Sequence, residues 1–186
     1  MDNRYSIYQK IRQDRTYRTL GKMSWWRILL GLLLLLLVLL ISGTLSQWLA
    51  SGGNFRLAEK LMISPAWMEK YKPETKAYIE AGVLYQDGDF AGALDSFGKL
   101  GDGAAAVMES LSAEKLAFEK LRAEEYDGAY AAATEVTLTL LPEDSRQEYL
   151  ELCSALYVYF STAGGGEARA QTLLDMLEAQ AETASG

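Results

Sequence analysis

Histidine is absent from all 186 residues. That removes the commonest general base near neutral pH, every His-containing triad or dyad, and most catalytic zinc sites. Cys153 is the only cysteine, so the chain has no intrachain disulfide, no Cys-x-x-Cys metal pair and no lipidation cysteine just after an apolar run. No glycine-rich stretch contains Gly-Lys-Ser or Gly-Lys-Thr, which excludes a phosphate loop. Asp87, Asp89 and Asp95 lack the Asp-x-Asp-x-Asp-Gly register and closing Glu of a calcium loop. Glu124, Glu125 and Asp127, like Glu143 and Asp144, stand at expected helix starts, where carboxylates complement the helix dipole in solvent. A catalytic carboxyl would instead be buried and shifted in pKa. The expectation is a protein that is not an enzyme and takes no cofactor, no metal and no small-molecule substrate.

Charge is missing from a whole stretch, since none occurs between Arg27 and Arg56. Within it, Ile28 to Trp48 is a Leu-rich apolar run that as a helix would extend roughly 31 Å, close to the ~30 Å hydrocarbon thickness of a bilayer. The run predicts one transmembrane helix with the lipid bilayer as its partner. It is longer than the apolar core of a cleavable leader, about 7–15 residues. The nearest small-residue site, Leu49-Ala50-Ser51, follows the bulky Trp48. An uncleaved signal anchor is therefore expected. Gly31 and Gly43 form no Gly-x-x-x-Gly pair, so nothing marks the span as a helix-packing device.

Around this run the charge is unequal. Met1 to Arg27 holds seven basic and two acidic residues, and the chain after the run holds 11 basic and 23 acidic ones. Basic residues near a span stay on the cytoplasmic side, so the expected location is a cell membrane, single-pass, with residues 1–27 cytoplasmic and the acidic remainder extracytoplasmic. Trp25, Trp26 and Arg27 at one end and Trp48 at the other are the expected membrane-interface residues. Basic residues interleaved with Tyr5, Tyr8 and Tyr17 match no nucleic-acid-binding module. They could lie as an interfacial helix on anionic lipid, or simply set topology.

Beyond the run the chain divides into a juxtamembrane segment, 49–72, and a helical domain, 73–183. Asn54 is placed to cap a helix from Phe55, and Pro65 opens a short one to Tyr71. From Pro73 no alternation of apolar and polar residues long enough for a strand occurs. Tyr78, Ala81, Gly82 and Tyr85, and after Gly88-Asp89 the set Phe90, Ala93, Leu94 and Phe97, keep helical spacing and predict a hairpin. A second hairpin is expected from Ala104 to Ala123 and from Tyr126 through Val136 and Thr137 to Leu140. A third has Tyr149, Leu152, Cys153, Leu156, Tyr157 and Phe160 on one face, then Gly164-Gly165-Gly166, then a helix from Glu167 to about Ala181. The fold class expected is all-α, with one N-terminal transmembrane helix followed by an array of α-hairpins.

Asp89-Phe90-Ala91-Gly92-Ala93 and Glu125-Tyr126-Asp127-Gly128-Ala129 share acid, aromatic, any residue, Gly, Ala, and lie 36 residues apart. Such a period in paired helices is that of a helical solenoid. Gly88-Asp89-Phe90, then Ala93, Leu94 and Phe97, resembles the turn and second helix of a tetratricopeptide repeat, with Ala77 and Ala81 at the first helix's Trp and Gly positions. Departures are plain: Tyr85 stands one place late, Glu124 replaces the turn glycine, and Ala133 replaces the later aromatic. The third hairpin keeps the length and loses the motif, as a capping repeat does.

The resemblance implies a scaffold whose concave face binds another protein. Tyr130, Tyr149, Tyr157 and Tyr159 are candidate partner-binding residues, because tyrosine suits both core and interface. The resulting expectation is a membrane-anchored adaptor of a bacterial-type envelope. Two alternatives are a chaperone-like accessory of protein secretion, by likeness of layout, and a small hydrolase working through carboxylates, which would need a deep pocket lined by two acids.

Overall fold

The computed structural model describes the backbone of residues 3–101 and 103–185, and the side chains of 25–101 and 103–178. Every regular element among them is helical: α1 Asn3–Ser51, α2 Phe55–Leu61, α3 Pro65–Tyr71, α4 Pro73–Asp87, α5 Phe90–Gly98, α6 Gly103–Arg122, α7 Tyr126–Thr134, a single 3-10 turn Leu138–Leu140, α8 Glu143–Thr162 and α9 Glu167–Ser185. The protein is all-α. It forms two compact units, residues 1–45 and 46–186.

In the first unit α1 is long and apolar enough to cross a membrane: the candidate stretch, Trp25–Ser51, has 27 residues, about 40 Å of helix. Leu32 to Leu37 are each more than half exposed. A helix buried in a protein core covers such side chains.

The second unit begins within the last turns of α1. In it α4 packs on α5, α5 on α6, α6 on α7, α7 on α8 and α8 on α9, while α2 and α3 both lie on α4. Three turns share one hydrogen-bond pattern. Asn54 N–H donates to Leu49 O and Gly53 N–H to Ala50 O; Asp89 repeats this on Leu84 and Gly88 on Tyr85; Glu125 repeats it on Lys120 and Glu124 on Leu121. These are Schellman closures, which satisfy the last carbonyls of the first helix and need one residue in the left-handed region. Gly53 at φ 76° and Gly88 at φ 85° supply it, and Glu124 supplies it at φ 60° although it is not glycine.

The pattern reaches into the cores. Seven residues before each left-handed residue lies a small, fully covered side chain, Ser46, Ala81 and Ala117. Twelve residues after each of those lies Ala58, Ala93 and Ala129, also 0 % exposed. Small residues at both places let the paired helices come close. The hairpin array therefore has a first member that the sequence reading missed, built from the end of α1 and α2. A fourth partial copy ends α8: Gly165 sits at φ 86° and Ala170 is buried, with Glu167 where the aromatic stands in the other three.

The juxtamembrane residues 49–72 hold α2 and α3, and Ala50, Phe55, Ala58, Met62 and Met68 share one buried cluster with Ile79 of α4. The aromatic Phe55 meets Tyr78 edge-on at 5.5 Å, and its ring lies directly on Gly82. Asn54 occupies the N-cap of α2 without a side-chain capping bond. Gln86 of α4 does that work, accepting from Arg56 N–H at 2.9 Å while its amide donates to Gly53 O at 2.7 Å. The expected helix through Leu140 stops at Thr134, where Glu135 and Val136 N–H bond back to Ala132 and Ala133 and the Ser110 hydroxyl takes Thr137 N–H at 3.2 Å. The last helix runs to Ser185, past Ala181.

Two substitutions test this packing by thermal unfolding of the full chain in detergent. Gly82→Ala places a methyl inside the Phe55 ring and is expected to cost about 1–3 kcal/mol. Glu124→Gly relieves the left-handed strain and is expected to add about 1 kcal/mol. An unchanged melting temperature in the first, or a fall in the second, would contradict the assigned turn and contact.

Candidate functional site

The end of α1, the start of α4, the end of α5 and the start of α6 enclose a groove of about 570 Å³. Gln47 and Ser51 come from the end of α1, Glu74, Thr75 and Tyr78 from the start of α4, and Lys99 from the end of α5. Ala50, Leu100 and Ala105 make its apolar floor. The sequence folds this way because Pro73 starts α4 without needing its N–H and Gly101 turns the chain in the left-handed region after α5.

The groove's rim carries one carboxylate, one ammonium, and amide and hydroxyl groups. Lys99 is shared with Asp95 at 2.5 Å, and Gln47 Oε1 accepts from Lys72 Nζ at 3.2 Å. Tyr78 joins the groove to the interior, edge-on to both Phe55 and Phe97 at 5.5 Å; burial pushes its hydroxyl pKa up. Such a surface offers donors and acceptors to a peptide backbone over an apolar floor. Among the described residues no group of three or more Cys, Asp or Glu is close enough to hold a metal ion.

None of the four tyrosines singled out in the sequence lines this groove. Tyr149 is a core residue, 3 % exposed, whose hydroxyl donates to Ala133 O at 2.9 Å, and burial raises its pKa strongly. A partner would not reach it. Tyr157 is half-buried against the same cluster. Tyr130 and Tyr159 do come together, in an aromatic ladder at the other end of the unit. Tyr159 stacks on Tyr126 at 3.6 Å and meets Phe160 edge-on at 5.1 Å, while Phe160 meets Tyr130 at 5.6 Å. The Arg169 guanidinium covers Tyr130 and Phe160 and pairs with Asp127. The ladder joins α7, α8 and α9 and is half covered by its own members. Trp25, Trp26 and Trp48 are 68 %, 74 % and 70 % exposed, and Arg27 is exposed as well.

Sequence reasoning missed Gln47, Ser51, Thr75 and Lys99. The signal available was the pair Gln47 and Ser51, polar and four residues apart at the end of an otherwise apolar run. It also missed Glu114 of α6, whose side chain is completely buried. Neither carboxylate oxygen has a hydrogen-bond donor. Lys115 Nζ stands 3.6 Å away and bridges on to Glu148 of α8 at 3.4 Å. Burial raises the Glu114 pKa; the Lys115 charge opposes the rise, and the Glu148 charge adds to it.

Comparison of the chain with protein-family models, with curated proteins and with solved structures finds no match.

Glu114 makes a pH prediction. Its folded pKa lies above its unfolded one, so its protonated form is favoured by folding and stability is lost as pH rises through the window between the two values. Glu114→Gln is expected to melt higher than the wild type at neutral pH, with the gap closing toward the ordinary carboxylate range. A gap that ignores pH would show the group is not titrating in the fold. Cys153, fully buried with its pKa raised by burial against the opposing Tyr149 hydroxyl, is expected to resist an aromatic disulfide reagent until the protein is denatured. Fast labelling of the native chain would contradict its burial.

Proposed function

We propose that the protein is a single-pass membrane anchor for a tetratricopeptide-like binding array. In this reading α1 crosses the bilayer with residues 1–27 in the cytoplasm, Trp25, Trp26, Arg27 and Trp48 sit at the two interfaces, and the acidic hairpin array stands outside. The array is a non-catalytic adaptor for another protein of the envelope. One observation carries the binding role: a small residue and an alanine twelve apart, fully buried in three successive hairpins, with a groove between the end of α1, the start of α4, the end of α5 and the start of α6. Repeats of this kind bury their apolar faces on one another and leave a continuous curved surface for a partner. The exposed leucines of α1 support the span, since exposed apolar surface of that extent requires lipid or protein to cover it.

Anchoring raises the effective concentration of the array at the membrane, so modest affinity suffices. The groove presents Gln47, Ser51 and Thr75 to an extended segment or a helix, and Glu74 and Lys99 at its rim give that segment a direction.

In-cell crosslinking of the full-length protein followed by mass spectrometry is the test. The expected result is one stoichiometric partner, lost when Thr75→Arg and Ala104→Arg fill the groove and retained when Tyr130→Ala alters the far ladder. Recovery of no specific partner at near-physiological salt would sink the adaptor. Weak recovery of many unfolded clients would move the reading to a chaperone-like accessory of protein secretion.

A further inference from the structure

The charge of the outer chain is not spread evenly. From Arg56 to Lys76 there are five basic and three acidic residues, whereas from Ala77 onward there are six basic and twenty acidic ones. The 21 residues from Arg56 to Lys76 are therefore net positive, against a strongly acidic remainder. It also leaves large apolar and aromatic side chains uncovered, Ile63 at 61 % and Tyr71 at 58 %, and Trp48 near the end of α1 is 70 % exposed.

Geometry brings this stretch beside the end of α1. The Lys72 ammonium donates to Gln47, the neighbour of Trp48, and Trp67 and Leu49 pack against the same buried cluster around Phe55 and Met68. Trp67 and Tyr71 lie one turn apart with rings 5.3 Å from each other, and the Lys70 ammonium stands 5.2 Å over the Tyr71 ring. The last turns of α1, from Ser46 to Ser51, belong to the same compact unit as this stretch. Lysines with apolar stems beside tryptophan and tyrosine are the side chains that settle at the headgroup layer, stem and ring toward the acyl chains and charge toward phosphate.

We propose that α3 and the start of α4 form a collar that lies on the outer leaflet, with Lys70 and Lys72 on anionic phospholipid headgroups and Trp67 and Tyr71 at the interface. Glu69 does not oppose this contact as a free charge, since it shares Lys76 at 3.6 Å. Glu74 is turned to the groove. The strongly acidic bulk from Ala77 onward is repelled by the same leaflet. Attraction at the base and repulsion beyond it bring the collar, rather than the acidic bulk, to the leaflet. Surface attraction of this kind extends about 8–10 Å at physiological salt.

The collar rests on the reading of α1 as a span, and the test separates the two. Full-length protein is placed in nanodiscs of phosphatidylcholine alone or mixed with phosphatidylglycerol, each containing a headgroup-level nitroxide lipid. Two single-tryptophan variants are compared, one retaining Trp67 and the other Trp48, with the remaining tryptophans changed to Phe. The expected result is quenching of Trp48 in both discs. Trp67 quenching should be severalfold stronger with phosphatidylglycerol, should fall when salt is raised, and should fall again in Lys70→Glu, Lys72→Glu. Trp48 quenched with Trp67 indifferent to lipid charge and salt overturns the collar and leaves the span. Trp48 unquenched in both discs overturns the span and the collar with it. The salt titration uses an unaltered collar, so a fold damaged by the charge reversals does not decide the outcome.

Discussion

Close approach of two helices within each hairpin is the constraint on which the second unit depends, and it is met by residues with almost no side chain. Ser46 and Ala58, Ala81 and Ala93, and Ala117 and Ala129 are all fully buried. A leucine at any of them would have to open the pair, because interiors are packed to the density of organic crystals and an added methylene is felt. Once the pairs are closed, larger side chains fill the remaining space, Phe55 over Gly82 and Tyr78 between the first two hairpins, and Phe97 edge-on to Tyr78 within the second. Tyr78 is thus common to two neighbouring clusters. Removing it would loosen two hairpins together, which is how a stacked array transmits a local defect to its neighbours.

The sequence made the helices and three of the hairpins readable because their signals are local. Proline at the first position, a polar cap, and glycine at the end of a helix act within a few residues. Pro65 and Tyr71 bound α3 as expected, and Glu167 starts α9 as expected. The first hairpin stayed hidden for a physical reason. Its first helix is the end of the apolar run, and hydrophobicity suited to lipid masks the single small residue, Ser46, that marks a helix crossing. Gly53-Asn54-Phe55 with Ala58 repeats the turn and aromatic of Gly88-Asp89-Phe90 with Ala93, but the shared residues are few and the acid is replaced by an amide. Glu124 concealed the repeat in the opposite way, taking the left-handed conformation that glycine signals elsewhere.

Groove residues are less legible than core residues because a groove is a long-range property. Gln47, Thr75 and Lys99 come from three elements and carry no common spacing. The tyrosines drew attention through composition, and composition does not say which way a ring points: Tyr149 and Tyr159 are ten residues apart on α8, yet one is sealed in the core and the other stacks at the surface. The end of α7 is a further instance. Val136 and Thr137 fit the helical spacing, but β-branched residues are weak helix formers, and the Ser110 hydroxyl offers Thr137 N–H a tertiary partner that no local rule contains.

Glu114 runs against all of this economy. Every other fully buried position near it on α6 is small, Ser110, Ser112, Ala113 and Ala117, and a neutral residue there would spare the desolvation of a charge. Among the described residues the carboxylate's close cation is Lys115, which is itself divided between Glu114 and Glu148. Lys115 therefore links α6 to α8 from one side while Glu114 and Glu148 repel each other from the same two helices. Protonating Glu114 removes both its pull on Lys115 and its repulsion of Glu148. The other pairs between helices, Arg56 with Asp87, Lys76 with Glu69 and Arg169 with Asp127, stand in solvent, whereas the junction of α6 with α8 includes a fully buried carboxylate.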